Sequence, residues 1–208
     1  VTGDIIFPFV EYGSKSKITK ENIVIRNATV WTMESNGNIE NCDVVIEDGK
    51  ITAVGQNLNV DENNYRIING DGMHLTPGII DEHSHIALTG VNEGSQSVTS
   101  EVRMKDVVNS EDVNIYRQLA GGVTTAQLLH GSANPIGGQS AIIKLRWGSI
   151  PEEMLVKDAD EYIKFALGEN VKRSRAPSST RFPDSRMGVE QVFVDAFNRA
   201  KIYSHNWS

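Results

Sequence analysis

The stretch Thr76-Pro77-Gly78-Ile79-Ile80-Asp81-Glu82-His83-Ser84-His85 decides how this chain is read. A buried-looking apolar strand opens after Pro77, and two histidines stand two apart at its end. In an extended strand residues i and i+2 point to the same face, so His83 and His85 can aim two imidazoles at one point, as a helix does with histidines four apart. Spacing by itself leaves two readings open, a metal-binding pair and a satisfied surface pair. Position weighs toward the first, because residues at the carboxyl ends of parallel strands face the site in both barrels and open α/β sheets.

On the carboxyl side of this stretch, strand and helix patterns alternate. Ser110 is placed to cap a helix with Glu111 and Asp112 in its first turn, an apolar face of Val113, Tyr116, Leu119 and Ala120, and a stop at Gly121-Gly122. A strand from Val123 to Leu129 follows, then apolar runs at Ala141 to Leu145 and Tyr162 to Leu167. Val189, Val192, Phe193, Ala196, Phe197 and Ala200 form a stripe at helical period, which predicts a final helix packed on the core. Strands separated by helices imply parallel pairing, either in an open doubly wound sheet or in part of a closed β/α barrel, and pattern alone does not choose between them. The Ser-rich stretch Ser174 to Ser185 reads as a loop.

On the amino side the pattern is β. Ile23, Ile25 and Val30 lie in one β-rich run, and Val44 to Glu47, the turn dipeptide Asp48-Gly49 and Ile51 to Val54 form a hairpin signature. Short strands at Arg66 to Asn69 and Met73 to Leu75 complete what reads as a small antiparallel unit over residues 22–76. Residues 1–21 read as an arm or linker whose apolar patch, Ile5 to Val10, packs on something.

Composition excludes several classes. The chain has 208 residues, 20 Lys and Arg against 27 Asp and Glu, and a net charge of −7, with the basic residues scattered. A nucleic-acid surface needs a basic stripe, so nucleic acid is set aside as a partner. No apolar run reaches the roughly 18 to 20 residues of a membrane span. The single Cys42 allows no internal disulfide and leaves the compartment, cytoplasmic or exported, open.

Thr76-Pro-Gly-Ile-Ile-Asp-x-His-x-His85, preceded by Asp48-Gly49-Lys50-Ile51-Thr52-Ala53-Val54-Gly55 and followed by Gly121-Gly122-Val123-Thr124-Thr125, resembles the metal-dependent amidohydrolase superfamily, in particular its imidazolonepropionase-like branch. The match is colinear from about Asn22 to Lys201. It implies an α/β fold, the amino-terminal part of a (β/α)8 TIM-like barrel over residues 77–208 preceded by a small β-sandwich segment over 22–76. The resemblance makes His83 and His85 metal ligands, with a divalent cofactor, Zn2+ above others, as one or two ions. Asp81 then orients ligands without binding metal itself. Within Ala159 to Asn170, similar to the branch's fourth-strand segment, Lys164 stands where relatives carry a carboxylated, metal-bridging lysine, and Glu169 is the rival carboxylate. An odd separation keeps both from facing the metal on one regular strand.

Two further residues are candidates for substrate contact. His130 ends the second barrel strand, and it is either a rim residue that touches substrate or a buried histidine bonded to a backbone carbonyl. Gln139 closes Asn134-Pro-Ile-Gly-Gly-Gln139, a segment without the spacing or the Lys-Ser/Thr of a phosphate loop, read as a substrate-side loop.

The family's mechanism needs two more histidines and an aspartate on later strands, and residues 77–208 amount to about half of the roughly 250 a full barrel takes. The expectation is therefore an amino-terminal half, opening on Val1 as a piece of something longer and inactive alone until the carboxyl-terminal half is supplied. The whole protein is expected to hydrolyse C–N bonds of an amide, cyclic amide or dipeptide-like small molecule, and to pair as a homodimer as family members commonly do. The competing class is a non-catalytic binding or assembly module that retains the barrel fold.

Overall fold

A computed structural model describes residues 3–16, 18–172 and 180–207. The chain divides into two compact units, Ser16–Gly78, and Ile79–Ser208 together with Val1–Lys15.

The first unit is a five-stranded sheet of β1 (Ile23–Trp31), β2 (Asn38–Glu47), β3 (Lys50–Gly55), β4 (Arg66–Asn69) and β5 (His74–Leu75). Asp48 and Gly49 take φ of 50° and 75°, the left-handed pair that a two-residue hairpin needs to match strand twist, and Glu47 pairs with Lys50 across it. β2 is antiparallel to both β1 and β3, as the pattern predicts. The wholly antiparallel unit is corrected, because β4 and β5 run parallel to β1, with Ile23 opposite Arg66 and Thr29 opposite His74. No tight turn joins β3 to β4. The longer connection, with a short 3-10 turn at Glu62–Asn64, carries the chain across before it re-enters the sheet.

Alternation sorts the two faces of this sheet. Ala28, Val30, Cys42 and Val44 are buried together, with Ile25, Ile39, Ile46 and Leu75 packed against them. The same face carries a groove of about 480 Å³. Asp43 is buried next to Cys42 in sequence and accepts hydrogen bonds from Arg26 Nη1 (2.6 Å), the Asn27 N–H (3.1 Å) and the Leu58 N–H (3.0 Å). Burial pushes the Asp43 carboxyl up, and these three donors outweigh it, holding the group below the usual carboxylate range.

The second unit contains β6 (Ile79–Ser84), α1 (Val113–Ala120), β7 (Val123–Leu128), β8 (Ile136–Gln139), β9 (Ala141–Lys144), α2 (Pro151–Met154), β10 (Ile163–Phe165) and α3 (Arg186–Trp207). β6 and β7 are parallel, from Ile79 opposite Val123 to Ser84 opposite Leu128, and α1 is the crossover between them. The cap of α1 is Asp112, not Ser110. Asp112 has the extended backbone a cap requires, its Oδ1 accepts from the Asn114 N–H, and its Oδ2 accepts from the Ala87 N–H (2.7 Å), tying the helix start to the segment after β6. The helix buries Ile115, while Tyr116 stays half exposed and stacks on Tyr12 at 4.7 Å. The arm is pinned there, since Trp147 Nε1 donates to Tyr12 O at 2.9 Å.

Beyond β7 the parallel expectation fails. β9 returns antiparallel to β7, and β10 pairs antiparallel with β8. Residues 129–140 contain no crossover helix, and a parallel return needs one. The core gathers Met104, Ile115, Leu128, Ile143, Leu145 and Met154 from the loops, α1, β7, β9 and α2. In α3 the apolar stripe is core only at its start: Val189 and Val192 are buried, Phe193 packs beside Phe165, and Phe197 is 53% exposed. The Ser-rich stretch lies up to residue 179 outside the described residues.

Candidate functional site

β6 ends in Ser84, so His83 lies in the last turn of the pleat and His85 one step beyond it. Both side chains are exposed, and their rings stand 5.3 Å apart, centroid to centroid, at an interplanar angle of 83°. One contact fixes the backbone at His83 and another orients the His85 ring. Asp81 Oδ1 accepts from the His83 backbone N–H at 3.1 Å, fixing the strand end. His85 Nδ1 donates to Leu129 O at 2.9 Å, since a carbonyl can only accept, and this leaves the Nε2 lone pair of His85 for a ligand.

Lys164, on β10, reaches the same place, and its Nζ donates to His83 Nε2 at 3.3 Å. Glu169 does not: its carboxylate pairs with Lys172 at 2.6 Å and Arg186 at 3.5 Å. Of the two rivals, geometry places Lys164 beside the histidine pair. Two imidazoles are ligands that a divalent cation can take, and the lysine adds a third nitrogen beside them. Among the described residues no three His, Cys, Asp or Glu side chains converge as a metal-holding group; His83 and His85 come together with Lys164 beside them.

His130 is fully buried with both ring nitrogens engaged. Its Nδ1 donates to Gly131 O at 2.8 Å, and its Nε2 accepts from the Glu93 N–H at 2.8 Å. Of the two alternatives left by the sequence, this geometry favours the histidine bonded to backbone. The paired glycines explain its slot: a Cβ at Gly137 would lie 2.6 Å from His130 Nδ1, and one at Gly138 3.2 Å from its Cδ2. Gly137 and Gly138 belong to β8, not to a loop, and Gln139 at its end donates from Nε2 to Ser100 O at 2.9 Å.

Sequence reasoning did not single out Arg181. Its Nη1 donates to Gly94 O (2.9 Å) and Gln96 O (3.2 Å), and its Nη2 to Ala133 O (2.7 Å) and Val171 O (3.1 Å). Asn134, buried, donates from Nδ2 to Glu93 O, Gln96 O and Thr99 Oγ1. Backbone carbonyls 10 to 87 residues from Arg181 carry no side-chain signature that a sequence could display.

The histidine pair stands at the carboxyl end of β6 in a parallel β-α-β unit, with Lys164 of β10 beside it, and comparison with known proteins identifies the class. No protein-family model matches the chain. It is 33% identical over 210 residues to the amidohydrolase tasK of Hapsidospora irregularis, covering 85% of this chain and 21% of that protein. It is 44% identical over 69 residues to a 5'-deoxyadenosine deaminase of Methanosarcina acetivorans, covering 33% of this chain and 16% of the relative. An amidohydrolase from Thermotoga maritima, solved by crystallography, superimposes with a TM-score of 0.76 at 38% identity, over 88% of this chain and 49% of that one. The chain belongs to the metal-dependent amidohydrolase superfamily. Its fold is the opening part of a TIM-like barrel with the β segment that precedes it, and it spans about half the length of the Thermotoga protein and about a fifth of the Hapsidospora one. Among the described residues no helix is long and apolar enough to cross a membrane.

Proposed function

We propose that this chain is the amino-terminal half of an enzyme that hydrolyses C–N bonds of amide, cyclic amide or dipeptide-like small molecules, and that His83, His85 and Lys164 are its share of the metal site. The observation that carries the reading is the convergence of Lys164 Nζ on His83 Nε2 across 81 residues of sequence. Relatives named amidohydrolase and deaminase support the bond type.

A divalent ion, Zn2+ for this donor set, supplies Lewis acidity and lowers the pKa of a bound water toward about 7. This chain's residues hold and orient. His83 and His85 present Nε2, and Leu129 O keeps the Nδ1 proton of His85 on the far side of its ring. Asp81 steadies His83 through its backbone N–H. Lys164, neutral or carboxylated as in related branches, would be the third residue to hold the ion, and its hydrogen bond to His83 Nε2 puts it within reach of the pair. Protonation of the leaving nitrogen falls to a carboxylate from the other half, so this segment alone is inactive.

The test is metal content of the full-length protein by elemental analysis, with His83→Ala and His85→Ala beside the unaltered chain. Stoichiometric metal in the unaltered protein and loss in both folded variants is the expected result. Equal metal in all three defeats the proposal, and no metal in any of them favours the binding-module reading.

A further inference from the structure

The loops that follow β6, β7 and β10 are stitched together at the carboxyl end of the parallel pair, and the stitching leads to His85. Leu129 O, the acceptor that orients His85, belongs to the residue before His130. His130 is gripped at both nitrogens, by Gly131 O and the Glu93 N–H, and rests on Gly137 and Gly138. The Gly131 N–H donates to Val91 O at 2.8 Å, and Asn92 Oδ1 accepts from the Ala133 N–H at 3.2 Å. Three of these bonds, His130 to Glu93, Gly131 to Val91 and Ala133 to Asn92, join the 91–93 segment to the 129–133 segment.

We propose that Arg181 is a positioning residue for the His83–His85 site, acting as the outer clasp of this stitching. Its guanidinium takes two carbonyls from the first loop (Gly94, Gln96), one from the second (Ala133) and one from the third (Val171). The planar fork, with donors set in fixed directions, can hold three separate backbone segments at once, and an ammonium on a flexible stem cannot. Ser97 Oγ donates to Phe182 O beside it, so the segment entering α3 is itself tied to the first loop. Without the clasp, loops 93–97 and 129–135 keep their own cross-bonds but lose their outer brace, the turn after Leu129 is held less firmly, and the His85 ring gains freedom to turn. A backbone acceptor that orients a ligating histidine contributes about 10- to 100-fold in metal affinity.

This inference rests on the proposed metal site, so its test has one arm independent of metal. The full-length protein, labelled with 15N at histidine, is studied as unaltered chain, Arg181→Met and Arg181→Lys. Long-range proton–nitrogen correlation reads which His85 nitrogen carries the proton, and Co2+ titration reads affinity. Expected are a single Nδ1–H form of His85 in the unaltered metal-free protein, averaging between forms in Arg181→Met, and about 10- to 100-fold weaker Co2+ binding, with Arg181→Lys between the two. Should Arg181→Met not fold, Arg181→Lys decides by the same criteria. A folded Arg181 variant with unchanged His85 tautomer and Co2+ affinity within twofold of the unaltered chain overturns the proposal. If the unaltered protein takes up no Co2+, the metal reading falls and the tautomer alone decides the role of Arg181.

Discussion

Gly137→Ala drives a methyl group into the face of the His130 imidazole. The added Cβ would lie 2.6 Å from Nδ1 and 3.0 Å from Cγ, both well inside contact distance. A flexible neighbour would step aside, but this ring is held at Nδ1 by Gly131 O and at Nε2 by the Glu93 N–H, and it is fully buried. Relief therefore breaks two hydrogen bonds worth about 1 kcal/mol each. Residual overpacking adds about 1 kcal/mol or more, for a total of roughly 3 kcal/mol. At about 2–4 °C per kcal/mol for 150–250 residues, and about half that for a protein twice as long, the midpoint of thermal unfolding of the full-length protein drops by roughly 3–6 °C. Scanning calorimetry of the full-length protein measures it, with Gly168→Ala as control, since a Cβ there meets nothing within 4 Å. A midpoint within 2 °C of the control would show that His130 is not locked in its slot.

Three further outcomes are expected. Because the Asp43 carboxyl is depressed in the folded chain, its stabilisation is fully present above the unfolded pKa and is lost as pH falls below about 4 toward the folded value; denaturant titrations from pH 6 down should show this loss, absent in Asp43→Asn. Asp43→Ala leaves Arg26 with Glu62 (2.8 Å) as its remaining carboxylate and takes the acceptor from the Asn27 and Leu58 N–H groups, which costs about 2 kcal/mol, read from the shift in the urea midpoint. Cys42, fully buried and with its thiol pushed up by burial, should react with an aromatic disulfide reagent only after unfolding, and prompt reaction in the native protein would contradict the packing described.

The histidine pair was legible because strand geometry is a two-residue rule: wherever 79–85 is extended, His83 and His85 share a face. The hairpin at Asp48-Gly49 was legible for a similar reason, since few residues accept left-handed φ at two successive positions. Strand direction was not. The patterns of β4, β5 and β9 are the same whichever way they pair, and what set their direction was the kind of connection before each. Gly137-Gly138 carried a signal that sequence reading assigned to a loop, when paired glycines in an apolar run also mark close approach by a neighbouring group, here His130. That Lys164 comes beside the histidine pair could be expected only from family resemblance, because nothing local distinguishes it from the chain's other lysines. Arg181 and Asn134 stayed hidden because they bind backbone atoms of distant segments.

The most direct measurement is an anomalous-difference map of the full-length protein at the zinc absorption edge. A peak about 2.0–2.1 Å from both His83 Nε2 and His85 Nε2, with Lys164 beside it, is the expected result. A zinc peak elsewhere in a well-ordered crystal, or none near these two nitrogens, would contradict the assignment of His83, His85 and Lys164 as one metal site.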